Sequence, residues 1–157
     1  MGIEQAIETT EQIRASLASE IEVARGERVL IRNMDVSGLN ERAVKRAEFN
    51  QRTANLQLRL AEQLRDVADQ VGLPEVTLAG IQQHLPKQGQ KLSKTFAEVR
   101  ALATALTELD SLNRALGQRA LSYVKAHLAV LCPRPVSYDR RGASPTDPRA
   151  STHIRVA

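Results

Sequence analysis

From Lys91 to Cys132 the chain runs for forty-two residues without a proline, and its apolar side chains recur at steps of three and four. Leu92, Phe96, Val99, Leu102, Leu106, Leu109, Asn113, Leu116, Ala120, Val124, Leu128 and Leu131 fall along one line of an α-helix. At about 1.5 Å per residue such a helix is roughly 60 Å long. A single apolar stripe of that length has to lie against another long helix, in the same chain or in a partner. The pattern therefore predicts a protein that works through a binding surface rather than a pocket.

The first half of the chain carries a similar signal. Ile13, Leu17, Ile21, Ala24 and Ile31 repeat at helical spacing, and a second stripe follows through Leu39, Ala43, Ala47, Asn50, Ala54, Leu58, Ala61, Leu64, Ala68 and Val71. Between them, Asn33-Met34-Asp35-Val36-Ser37-Gly38 is a candidate break, because Asp and Ser compete for the backbone and Gly weakens a helix by about 1 kcal/mol. Asp35 or Ser37 can equally cap a restarting helix. Residues 4–71 read as one long helix with a candidate kink at 35–38, stopped by Gly72 with Pro74 beyond it.

Pro74, Gly80, Pro86 and Gly89 punctuate the stretch 72–90, where Val76, Leu78, Ile81 and Leu85 predict a short helix started by Pro74. Such a connector turns the chain around, so that the long helices run antiparallel. After Cys132 come four prolines, three serines and two threonines within 25 residues, with few large apolar side chains. That composition cannot bury enough surface to offset the entropy of ordering it. The expected fold is all-α: an elongated antiparallel helical bundle of two long helices plus a short connecting helix. Residues 1–132 form its helical domain and residues 133–157 a flexible basic tail.

Composition narrows the function. The 157 residues include 3 % aromatics and no Trp, so the core is built from Leu, Ala, Val and Ile. The net charge is +4, but 17 basic and 16 acidic side chains nearly balance over residues 1–132. The excess belongs to the tail, where Arg134, Arg140, Arg141, Arg149 and Arg155 face only Asp139 and Asp147. A nucleic-acid domain concentrates Lys and Arg on a folded face with aromatics for stacking, and neither sign is present. No nucleic-acid partner is expected. No apolar run approaches the roughly 20 residues that span a bilayer, so no membrane insertion is expected. MGIEQAIETTEQ lacks the positive start and apolar block of a secretory signal. With Cys132 as the lone cysteine, a reduced, cytoplasmic location is the simplest reading.

Catalytic chemistry has little to stand on. His84, His127 and His153 are far apart, with no carboxylate or cysteine at ligand spacing, and a metal site needs convergent ligands. His127 reads as a surface or interface residue. Gly117 is isolated within a helix and makes no phosphate-binding loop, while Gly72, Gly80 and Gly89 read as breakers. No cofactor and no enzymatic activity are expected.

One constellation is more specific. The last helix contains Leu109-Asp110-Ser111-Leu112-Asn113-Arg114-Ala115-Leu116, then Ala120-Leu121 and Tyr123-Val124; after it come Tyr138-Asp139-Arg140-Arg141-Gly142 and a closing His153-Ile154-Arg155-Val156. This resembles the FlgN family, the flagellar export chaperones for hook–filament junction proteins. That family carries an Asn-x-x-Asn-x-x-Leu run late in its long helix and a Tyr-x-x-x-Gly element beyond it. Here the second asparagine is Asn113 and the leucine Leu116, while the first position holds Asp110, which adds charge and loses the amide donor. The second element is intact as Tyr138 to Gly142. Residues 105–157 carry the resemblance most strongly; residues 1–90 share its architecture.

The resemblance implies a cytoplasmic protein that binds the C-terminal helical segments of hook-associated junction proteins. It would prevent their premature assembly and deliver them to the flagellar type III export gate and its ATPase complex. The residues it points to for binding the client are Leu109, Asp110, Leu112, Asn113, Leu116, Leu121, Val124 and Leu128. Their leucines and valine occupy more than one face of the helix, and a two-helix contact covers only part of that circumference. The remainder suits a partner helix. For docking at the export gate it points to Tyr138 and Gly142; Tyr123 reads instead as helix packing. A homo-oligomeric coiled-coil scaffold without a secretion role is the alternative reading of the same stripe.

Overall fold

The computed structural model describes residues 2–132, and Tyr138 and Gly142 lie outside them. Four helices make up the described residues: α1 (Gly2–Arg32), α2 (Val36–Gln70), α3 (Leu78–His84) and α4 (Pro86–Leu131). The all-helical class, the short connecting helix and the long last helix agree with the expectation. One compact unit runs to Ala120, and a second begins at Leu121 within α4.

The expected single helix over residues 4–71 is instead two, because the chain reverses at Asn33–Asp35. Asp35 Nα donates to Leu30 O at 2.9 Å and Met34 Nα to Ile31 O at 3.1 Å, which closes α1 with Met34 in the left-handed region at φ 54°. Asp35 then caps α2, its carboxylate accepting from Gly38 N at 2.9 Å. The polar run contains both a stop and a start. Two complete caps back to back make a hairpin rather than a kink.

The other boundaries follow from local chemistry too. Gly72, at φ 70°, supplies the left-handed residue past the end of α2, as expected, and Leu73 N donates to Ala68 O at 2.9 Å. The short helix starts at Leu78, four residues later than Pro74 implies, because the Thr77 hydroxyl accepts from Gly80 N at 3.1 Å and caps it. Pro86 opens α4 rather than interrupting the connector, and a proline suits a first turn whose N–H groups lack helical partners. Gly89 is not a breaker either. A Cβ there would sit 2.4 Å from Gln82 Cα, so only glycine lets α4 lie this close to α3.

Within the first unit, α1 and α2 are antiparallel, with Glu20 beside Arg42 and Gly2 beside Val67. Helix α4 runs parallel to α1 and antiparallel to α2. Along it, Thr95 meets Glu11, Glu98 meets Arg14, Asn113 meets Ala24, and Asp110 meets Arg46. Ile13, Leu17, Ile21 and Ala24 of α1 enclose a core with Phe49 and Leu60 of α2 and Leu106 of α4. A second cluster joins Ile3, Ile7, Val67, Ile81 and Leu92, and this is where α3 is held.

The stripe expected on α2 is turned away from this core over its first part, whereas its last part, with Leu64 and Ala68, packs inward. Ala43, Ala47, Asn50, Ala54 and Leu58 are exposed, whereas Arg42, Phe49, Leu60, Gln63 and Val67 are buried. Alanine counts as apolar in a periodicity but gains little from burial, and Phe49 and Leu60 gain far more. The line that buries them also draws Arg42 inward, where Glu20 compensates its charge.

Candidate functional site

Helix α4 changes character along its length. Leu92 is fully buried, Leu106 and Asn113 are buried, and Phe96, Val99, Leu102 and Leu109 are half-buried against the first core cluster. Leu116, Ala120 and Val124 are half-buried. Leu112 is 57 % exposed, and in the second unit Leu121 and Leu128 are each 54 % exposed, with Tyr123, Val130 and Leu131 more so. Removing one such side chain from water is worth about 1.5–3 kcal/mol, so the last turns of α4 present a surface that favours cover.

The polar residues of the motif are placed differently from its leucines. Asn113 Nδ2 donates to Ala24 O at 2.8 Å, and its Oδ1 accepts from Arg28 Nε at 3.2 Å. Asp110 accepts from Arg46, whose Nη1 donates to Glu20 Oε1 at 2.8 Å. Glu20 in turn holds Arg42, and Glu27 Oε2 lies 3.5 Å from Arg42 Nε. The guanidinium of Arg46 also sits 5.4 Å above the Phe49 ring. The aspartate that replaces asparagine at 110 is thus matched by a cation on α2. Asp110 and Asn113 are spent on α1 and α2, together with the packed face of Leu109, and they set where α4 stands against the hairpin. Leu112, Leu116, Leu121, Val124 and Leu128 remain wholly or partly open.

Tyr123, read from the sequence as helix packing, is 61 % exposed. Its ring meets its helical neighbour His127, edge to face with centroids 4.3 Å apart. Val130 is the most exposed large apolar side chain among the described residues, and the periodic stripe does not include it because it falls off that line. The Glu20–Arg42–Arg46 cluster was also missed. Its signal is the spacing Arg42, Arg46, Phe49, which places two arginines on the line of a buried aromatic.

Among the described residues no group of three or more His, Cys, Asp or Glu could hold a metal ion. No helix among them is long and apolar enough to cross a membrane. In the first unit the α1–α2 hairpin packs along α4, and in the second the last turns of that helix carry exposed apolar side chains. That arrangement defines the class: an all-α helical scaffold carrying an exposed apolar helix face. The chain belongs to the FlgN family, since the family model described as FlgN protein matches residues 1–146. No curated protein and no solved structure matches it. The family match covers the α1–α2 hairpin as well as the motif region.

Proposed function

We propose that this chain is a cytoplasmic flagellar type III export chaperone. In this reading it binds the C-terminal helical segments of hook–filament junction proteins, keeps them from assembling early and delivers them to the export gate and its ATPase complex. The observation that carries the reading, beside membership of the FlgN family, is the open apolar surface of the last turns of α4, where Leu121, Tyr123, Leu128, Val130 and Leu131 are exposed to solvent. In the second unit an amphipathic helix of the client would lay its apolar face on Leu121, Val124 and Leu128, which fall on one face of α4, while Leu112 and Leu116 offer a separate contact in the first unit. Leu109, Asp110 and Asn113 would act by holding α4 against α1 and α2 within the first unit. Nothing in this activity calls for a catalytic group or a cofactor. Tyr138 and Gly142 would dock the loaded chaperone at the gate, so Tyr138→Ala is expected to lower export while leaving client affinity at its parental value.

Calorimetric titration with a synthetic peptide of a junction protein's C-terminal segment tests the surface. Leu121→Asp and Leu128→Asp place a charge where an apolar contact is required, and each is expected to weaken binding at least about tenfold. Parental affinity in both variants, with helicity and melting temperature intact, would show that this surface is not the docking site. Light scattering separates the coiled-coil scaffold, which would form a tight oligomer indifferent to the peptide.

A further inference from the structure

Helices α1 and α4 run parallel, and between them lies a shallow trough. Two adjoining cavities of about 430 and 400 Å³ form it, and they share Ala18 and Leu102. Every lining residue comes from α1 or α4; Phe49 and Leu60 of α2 join the core cluster instead. On α1 the lining positions 15, 18, 22 and 25 step by three and four, and on α4 the positions 98, 101, 105, 108 and 112 do the same. Two parallel helices with matched heptad-like steps leave the row of holes into which a third helix packs its knobs.

Buried Ile21 and half-buried Leu102, Ala105 and Leu109 line the floor, and the exposed Ala15, Ala18 and Ala101 form low walls of small side chains. Such residues let a guest backbone come close without displacing anything. The trough ends at Leu112, one of the exposed leucines already assigned to the client, so it is continuous with that surface inside the first unit. Its charges select the guest. Arg14 is held by Glu11 at 2.8 Å and Glu98 at 3.1 Å, and Arg25 by Glu22. Glu108 is exposed and has no ion-pair partner among the described residues. The one uncompensated lining charge is negative.

We infer that the α1–α4 trough seats a helix of the client, one with small or medium apolar residues at heptad spacing and a basic residue opposite Glu108. This rests on the chaperone reading and extends the docking site from the face of α4 onto α1. It also gives the parallel packing of α1 and α4 a purpose, since the guest would complete a four-helix arrangement around the existing core.

Titration with the junction-protein peptide tests it with variants that leave the last turns of α4 untouched. Ala18→Trp and Ala101→Trp fill the trough from opposite walls, and because both alanines are exposed the parental melting temperature is expected to hold. Each should weaken the peptide about tenfold or more, while Glu108→Lys weakens it about twofold to fivefold. A benzoylphenylalanine probe at Ala101 should crosslink the peptide, and one at Gln51 on α2 should not. The trough is overturned if both Trp variants bind as the parent does and the Ala101 probe captures nothing, while Leu121→Asp still abolishes binding; the chaperone reading then stands alone. A change in sedimentation of the free Trp variants with parental peptide affinity overturns it as well, in favour of self-association. If the parent chain itself ignores the peptide, the chaperone reading fails first and the trough assignment with it.

Discussion

Residues 92–113 and 121–131 of α4 are built from the same materials and are used in opposite ways. Both are rich in leucine and alanine, and both belong to one uninterrupted helix. In the first segment every large apolar side chain except Leu112 has a neighbour on α1, α2 or α3, and the polar Asp110 and Asn113 are bonded to the hairpin. In the second, Leu121, Tyr123, Leu128, Val130 and Leu131 stand in solvent. Apolar content alone therefore does not say whether a helix face is core or interface. What decides is whether a neighbouring apolar face packs on it, and in the first unit the α1–α2 hairpin supplies one.

The largest expected effect lies in the polar cluster that fixes the first segment. Glu20→Ala leaves the buried guanidinium of Arg42 short of its main partner and frees Arg46 from one of its two. Breaking a buried pair of this kind costs about 3–5 kcal/mol, read as a loss of stability in denaturant unfolding. A loss below about 1 kcal/mol would mean that Glu27 or water replaces Glu20 and that the cluster does not hold α4.

The comparison itself is sharpened by truncating one leucine in each segment. Leu92→Ala, at a site with no exposure, should cost about 2–5 kcal/mol, whereas Leu128→Ala should stay within about 0.5 kcal/mol. Equal losses would erase the distinction between the segments. Asn113→Ala comes next, because it removes the side-chain donor to Ala24 O, which keeps its helical bond, and the acceptor of Arg28; about 0.5–1.5 kcal/mol is expected, together with a weaker grip on α4. The smallest effect falls outside both segments and calibrates the rest. Met34 holds a left-handed conformation at the hairpin turn, so Met34→Gly should stabilise the fold by about 0.5–1 kcal/mol and leave client affinity unchanged.

Much of this architecture is legible in the residues. The α1 line through Ile13, Leu17, Ile21 and Ala24 is the buried line, because large aliphatic side chains at steps of three and four leave only one face to bury. The α4 stripe likewise marks the inward face as far as Asn113. On α2 the apolar line marks the inward face only near its end, at Leu64 and Ala68. Alanines at Ala43, Ala47 and Ala54 looked apolar, but the arginines beside Phe49 went inward, and that choice depends on Glu20 and Asp110 of other helices. The reversal at Asn33–Asp35 was hidden for a related reason. Asp35 as a cap was visible, but the stop before it uses Met34 in a conformation that composition does not advertise. At the candidate site, sequence spacing located the exposed leucines correctly as members of one helix. It could not separate Asp110 and Asn113, which bond to the hairpin, from Leu112 and Leu121, which do not, because that division is made by α1 and α2.

Hydrogen exchange of the free protein and of its mixture with the junction-protein peptide tests the central claim most directly. Amides of residues 121–131 should exchange fast in the free chain and slow markedly on saturation, while those of residues 92–106 are already protected and change little. Strong protection of residues 121–131 in the free protein, or none gained with peptide in excess, would contradict it.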